Sequence, residues 1–129
     1  MILGIGTDIM DVRRVMRDFG LYRGYFTEAE HRLCQLREER MAAYTKRFAA
    51  KEAVIKALGI NDAVGGVGFH EIEIATMQSG RPVPQLTGGA LRQLKSIVPN
   101  GHEVRLHLSV ADYLPFAVSY AILEAVASH

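Results

Sequence analysis

A single cysteine, Cys34, leaves this chain unable to close an internal disulfide, and no metal-ligand spacing surrounds it. It reads as a packed, inert thiol. Apolar runs are short as well: none approaches the roughly 20 residues that span a bilayer. No basic-then-apolar leader opens the chain, because Asp8 and Asp11 interrupt the N-terminus. The expectation from these absences is a cytoplasmic protein that does not enter the membrane. An excess of one charge is also missing. Fifteen Lys and Arg against fourteen Asp and Glu give a net charge of +1. That balance argues against a nucleic-acid coat and makes any electrostatic preference local. Repeats, linkers and low-complexity stretches are absent too. A length of 129 residues with a hydrophobic fraction of 49% suits one domain, 1–129, around one core.

What is present is organised around residues Arg47 to Gly59, rich in alanine and other good helix formers, with Gly59 as a natural stop. Ala50, Ala53, Val54, Ala57 and Leu58 follow helical spacing and predict one buried stripe. Phe48, Lys51, Glu52, Ile55, Lys56 and Gly59 fall on a neighbouring flank. Glu52 and Lys56, four residues apart, lie one turn above the other. A carboxylate and an ammonium at the edge of an apolar stripe suit a metal-bound phosphate. They equally suit an ordinary ion pair on a solvated face.

At the start of the chain, Met1 to Met10 reads as an apolar strand carrying one carboxylate, Asp8. A lone charge among apolar neighbours is costly to bury, so Asp8 needs a partner. A divalent cation shared with Glu52 would supply one. Hard oxygen ligands suit Mg²⁺, which takes one or two carboxylates plus substrate phosphates. The alternatives are that Asp8 caps the following helix or pairs with an arginine.

In chain order, Asp11 to Phe19 predicts a helix ending near Gly20, with Val12, Val15, Met16 and Phe19 on its apolar face. Arg13, Arg14 and Arg17 crowd its polar side and Arg23 follows. This is either a solvated face or a docking surface for an acidic partner. Thr27 to Glu30 fits a capping box, so a helix begins near Glu28. Arg37 to Arg40 is an exposed end or break, and the central helix runs from about Met41 to Leu58. Asn61 to Gly68 reads as a loop without a P-loop pattern. Phe69 to Ile74 alternates as a strand, Ser79 to Pro82 turns, and Val83 to Leu86 returns with Pro84 keeping it at an edge. Gly88 to Val98 predicts an amphipathic helix stopped by Pro99-Asn100-Gly101. Val104, Leu106 and Leu108 alternate with Arg105, His107 and Ser109. Phe116 to Leu123 is a final apolar strand, a candidate for the centre of the sheet.

Two motifs in this order, Gly4-Ile5-Gly6-Thr7-Asp8-Ile9 and Arg47-Phe48-Ala49-Ala50-Lys51-Glu52-Ala53 with Lys56-Ala57-Leu58-Gly59, resemble the holo-acyl-carrier-protein synthases, the small stand-alone phosphopantetheinyl transferases. The resemblance covers nearly the whole chain and takes in Phe26-Thr27, Phe69 to Ile74 and Gly80-Arg81-Pro82. It implies an α+β fold, an antiparallel sheet packed against one long helix plus shorter helices. It also implies Mg²⁺-dependent transfer of phosphopantetheine from coenzyme A to a serine of an acyl carrier protein in fatty acid biosynthesis, releasing adenosine 3′,5′-bisphosphate. Asp8 and Glu52 would hold the metal and Lys56 would contact phosphate oxygens. Either Glu52 or a metal-bound water would act as general base. Arg47, Lys56, Gly59, Gly80, Arg81, Pro82 and Ser109 are implied contacts of coenzyme A. Arg13, Arg14 and Arg17 would face the carrier protein, Arg14 in particular. Homotrimers with sites between subunits are the implied assembly.

One segment departs from that pattern. Where the family carries Ser-x-Ser/Thr-His, this chain has Ser109-Val110-Ala111-Asp112. A carboxylate cannot donate to a phosphate as histidine can. Asp112 therefore points away, binds a cation, or marks a changed pocket. The departure motivates one rival reading, a non-catalytic coenzyme A or carrier-protein binding module. A Mg²⁺-dependent hydrolase of a diphosphate is the other.

Overall fold

The computed structural model describes residues 1–60, 67–76 and 78–128. Strand β1 (Ile2–Asp11) leads into α1 (Val12–Arg17), α2 (Phe19–Tyr22) and a 3₁₀ turn at Arg23–Tyr25. Helices α3 (Glu28–Gln35) and α4 (Arg40–Ala57) follow. A second 3₁₀ turn (Phe69–Glu71) then opens β2 (Ile72–Thr76), β3 (Pro82–Leu86), α5 (Gly88–Ile97), β4 (His102–Tyr113) and β5 (Phe116–Ala127). β1, β5 and β4 form an antiparallel sheet with β5 in the centre, and β2 and β3 form an antiparallel hairpin. This is the expected α+β arrangement of an antiparallel sheet against one long helix.

Strand alternation decides what faces α4. On β5, Ala117, Ser119, Ala121, Leu123 and Ala125 are buried, while Tyr120 and Ile122 face outward. Small inward side chains let α4 lie close, and the Ser119 hydroxyl donates to the Ala49 carbonyl. Glycine does the same on β1: a Cβ at Gly4 or Gly6 would overlap the carbonyl oxygen of Ala57 or Ala53. The stripe Ala50, Ala53, Val54, Ala57 and Leu58 is buried as its spacing predicts. It packs with Ile72, Ile74, Ala90 and Leu123. A second cluster joins the N-terminal half of α4 to α1–α3 through Tyr22, Phe26, Tyr44 and Phe48, whose rings meet edge to face. Gly59 ends α4 at φ +79°, a conformation that favours glycine. Burial pushes the Cys34 thiol up to about 11, which keeps it inert.

Four expectations are corrected. The helix over 11–19 stops at Asp18, and Gly20 lies inside α2 instead of ending a helix. Met16 is exposed, because α1 buries only Val15. Phe69 to Glu71 is a 3₁₀ turn and the strand starts at Ile72. Here the Glu71 carboxylate accepts from the Gly68 and Gly89 amides, capping α5, whose own N-cap Thr87 makes no side-chain bond. Lys51 is buried, not on the flank with Glu52. Its ammonium donates to Glu30 Oε1 at 2.7 Å and to the Phe69 and Ile72 carbonyls at 3.0 and 2.6 Å. Burial lowers the Lys51 pKa and Glu30 opposes that shift. Glu30, besides completing the predicted capping box with Thr27, accepts from the Ile74 amide at 2.9 Å. The pair thus fastens α3, α4 and β2 together. Asn61 to Gly66 of the expected loop lie outside the described residues.

Candidate active site

Gly4, Gly6 and Asp8 share the inner face of β1, two residues apart. The two glycines bring α4 against the strand at Ala57 and Ala53, and the carboxylate next in line stands beside Glu52 and Lys56. The Lys56 ammonium donates to the Thr7 carbonyl at 2.9 Å and to Asp8 Oδ1 at 3.3 Å. Asp8 keeps only 14% of its side chain exposed, and its Oδ2 is buried with no hydrogen-bond partner. Burial raises the Asp8 pKa, opposed by Lys56. Glu52 is raised first by burial and then by the Asp8 charge, again opposed by Lys56.

Two of the sequence alternatives for Asp8 are corrected. Asp11, not Asp8, caps α1 through the Arg13 amide. Asp8 pairs with a lysine and not an arginine, and Lys56 reaches across to β1. Two carboxylates thus stand against one ammonium, and one Asp8 oxygen has no hydrogen-bond partner. No group of three or more His, Cys, Asp or Glu capable of holding a metal occurs among the described residues. Two carboxylates fit Mg²⁺, which takes its remaining ligands from water and phosphate.

Arg47 is elsewhere. Five residues before Glu52, it projects about 140° away from it around α4, and about 180° from Lys56. The residue is 7% exposed, and its guanidinium donates to the Thr76 hydroxyl at 3.1 Å and leaves Nε without a partner. It lines a cavity of about 400 Å³ shared with Lys46, Thr76, Gly80, Pro82 and Asp112. Arg81 is exposed and outside that wall, and Gly59 closes α4 three residues beyond Lys56. Ser109 faces outward on β4 opposite Tyr120. Within one chain, then, the predicted residues form two separate places: Asp8, Glu52 and Lys56 on one side of α4, Arg47, Gly80 and Pro82 on the other.

Asp112 does not point away. Its carboxylate stands 3.7 Å from the Lys46 ammonium at the cavity wall. Lys46 and Thr76 went unnoticed in the sequence; the adjacent cations Lys46-Arg47 were the available signal for the first. On α1, Arg13 is held by Asp11 at 2.7 Å and Arg17 by Asp18 at 3.2 Å. Arg14 makes no ion pair among the described residues, which leaves its fork available. His107 lies on the outer strand face, 3.0 Å from Glu124 Oε1.

The profile of the 4′-phosphopantetheinyl transferase superfamily matches residues 4–113. The holo-[acyl-carrier-protein] synthase of Methylorubrum extorquens (strain PA1) is 46% identical over 98% of this chain and 96% of its own length. That of Brucella ovis is 41% identical over 98% and 97%. Among solved structures, the ACPS–CoA complex of Chronobacterium ammoniagenes superposes with a TM-score of 0.82 at 26% identity, covering 95% of this chain and 97% of that one.

Proposed function

The chain belongs to the 4′-phosphopantetheinyl transferase superfamily, and from that premise we propose that it is a holo-acyl-carrier-protein synthase. It moves phosphopantetheine from coenzyme A to a serine of an apo acyl carrier protein of fatty acid biosynthesis, with adenosine 3′,5′-bisphosphate as the leaving product and the cytoplasm as its compartment. The observation that carries the reading is the orphaned Asp8 carboxylate beside Glu52 and Lys56. Asp8 and Glu52 would hold Mg²⁺, whose chemistry is to neutralise the diphosphate and act as a Lewis acid. Lys56 spends two of its three protons on Thr7 and Asp8, and the third is available to a phosphate oxygen as charge builds on the departing 5′-phosphate of the adenosine 3′,5′-bisphosphate. The acceptor serine oxygen attacks the β-phosphoryl group, the bridging P–O bond to the 5′-phosphate breaks, the serine proton passes to Glu52 or to water, and the protein's part is mainly alignment and charge.

Two supports bear on the assembly and the partner. The outer face of the sheet exposes Ile5 and Ile9 of β1 and Tyr120 and Ile122 of β5, a patch of the kind that marks an interface. A homotrimer closing over it would set one subunit's carboxylates beside another subunit's Arg47 cavity. Arg14, exposed on α1, is the fork offered to an acidic carrier protein.

Mass spectrometry of an apo carrier protein incubated with the protein, coenzyme A and Mg²⁺ tests the reading. The expected result is a metal-dependent gain of one phosphopantetheine, reduced by about 10²–10³-fold in Glu52→Gln. Coenzyme A binding without any gain would favour the binding module. Phosphopantetheine released without a carrier protein would favour the hydrolase.

A further inference from the structure

The cavity beside α4 holds a buried cation without a counter-ion. Arg47 is only 7% exposed, it makes no ion pair among the described residues, and its Nε has no partner. A permanent charge in that setting is costly until an anion joins it. Lys46, one residue earlier, turns its ammonium to the same cavity, and Asp112 stands opposite it on the inner face of β4. The 3.7 Å separation is too long for a hydrogen bond, and both side chains are about 40% exposed. Such a pair is worth little by itself, so its geometry is cheap to rearrange.

Resting on the reading that coenzyme A is the substrate, we propose that Asp112 is a positioning residue: it holds the Lys46 ammonium over the cavity, so that lysine and not histidine meets a phosphate group of coenzyme A. The three N–H donors of an ammonium can serve a carboxylate and a phosphate together, whereas a bare carboxylate there would repel the phosphate. Asp112 is thereby compatible with an anion site that already contains Arg47, because Lys46 stands between the two negative groups. Arg37, Glu38 and Glu39 line the same cavity, but Asp112 is the carboxylate within 4 Å of the Lys46 ammonium.

The test is a double-mutant cycle on coenzyme A affinity, measured by calorimetry on the assembled protein with Lys46→Gln, Asp112→Asn and the double variant. Lys46→Gln should weaken binding about 10-fold or more, the scale of one charged hydrogen bond. Asp112→Asn should weaken it about 3-fold when Lys46 is present and tighten it or leave it unchanged when Lys46 is Gln, a coupling that loss of packing would not produce. Equal effects of Asp112→Asn in both backgrounds would overturn the proposal. So would tighter binding in both, since Asp112 would then be only repulsive. Coupling seen in affinity for the carrier protein and not for coenzyme A would overturn it as well. A wild-type protein that neither binds coenzyme A nor modifies a carrier protein would remove the functional reading itself. A wild-type protein that does both, with an additive cycle, removes only the role of Asp112.

Discussion

Asp8 and Glu52 carry a cost in the protein without metal. Burial raises both carboxyl pKa values above their ordinary 3.8 and 4.5. A carboxyl whose folded value is raised binds its proton more readily folded than unfolded. Its stabilising contribution is complete below those ordinary values and is lost as pH rises through the raised ones. The metal-free protein at neutral pH therefore holds two unfavourable charges, and a divalent cation would relieve them. Mg²⁺ at about 100 times its dissociation constant should add about 2.7 kcal/mol, a rise in Tm of several degrees. Asp8→Asn should raise the metal-free Tm at pH 7 and abolish most of the Mg²⁺ response. Thermal melts with and without Mg²⁺ check this; an undiminished response in Asp8→Asn would remove Asp8 from the metal site. The cost of burying Asp8 was legible from its apolar neighbours alone. That Lys56 would cross to it was not, since 48 residues separate them and only the glycine-lined approach of α4 to β1 brings them together.

Helix α4 is held by contacts on both sides, and each side has its own sensitivity. Against β1, the Ala53 carbonyl occupies the space a Cβ on Gly6 would need, and that oxygen belongs to rigid helical backbone. Gly6→Ala should cost about 1–3 kcal/mol in denaturant unfolding, as overpacking does, and blunt the Mg²⁺ effect on Tm by moving Glu52 from Asp8. On the other side, Lys51→Met would leave the Glu30 carboxylate buried without its ion-pair partner, at about 3–5 kcal/mol. A loss under 1 kcal/mol would mean that Glu30 is satisfied by the Thr27 and Ile74 amides alone. The local signals of this element were legible: the alanine stripe, Gly59 as its stop, and the Thr27–Glu30 box of the preceding helix. Lys51 was misplaced because helical spacing puts it near the flank of Glu52, and its burial is made tolerable by distant partners, Glu30 21 residues away and the Phe69 and Ile72 carbonyls. Glu71 was taken as a strand residue for a similar reason: its alternation is real, but the unsatisfied amides of α5 outweigh it.

At the scale of the molecule, the two half-sites stand apart on one chain, and the proposed homotrimer would bring them together between subunits. Arg47 and Lys56 project from opposite sides of α4, so within one chain they do not meet at a single phosphate group. If sites lie between subunits, a subunit with Glu52→Gln still offers an intact Arg47 cavity, and one with Arg47→Gln still offers intact carboxylates. Each variant alone should be almost inactive. Co-expressed at equal levels, they should recover about one quarter of wild-type transfer, since one interface in four then pairs two intact halves. Light scattering should give three chains per particle for each variant and for the mixture. Replacing Ile9, exposed on the outer sheet face, by Asp should dissociate the particle while far-ultraviolet circular dichroism stays unchanged, because that side chain packs against nothing in its own chain's core. Recovery without assembly, or assembly without recovery, would each separate the oligomer from the site. Recovery that vanishes with Ile9→Asp would tie them together, with the outer sheet face bringing a second subunit's Arg47 cavity against the carboxylates of the first.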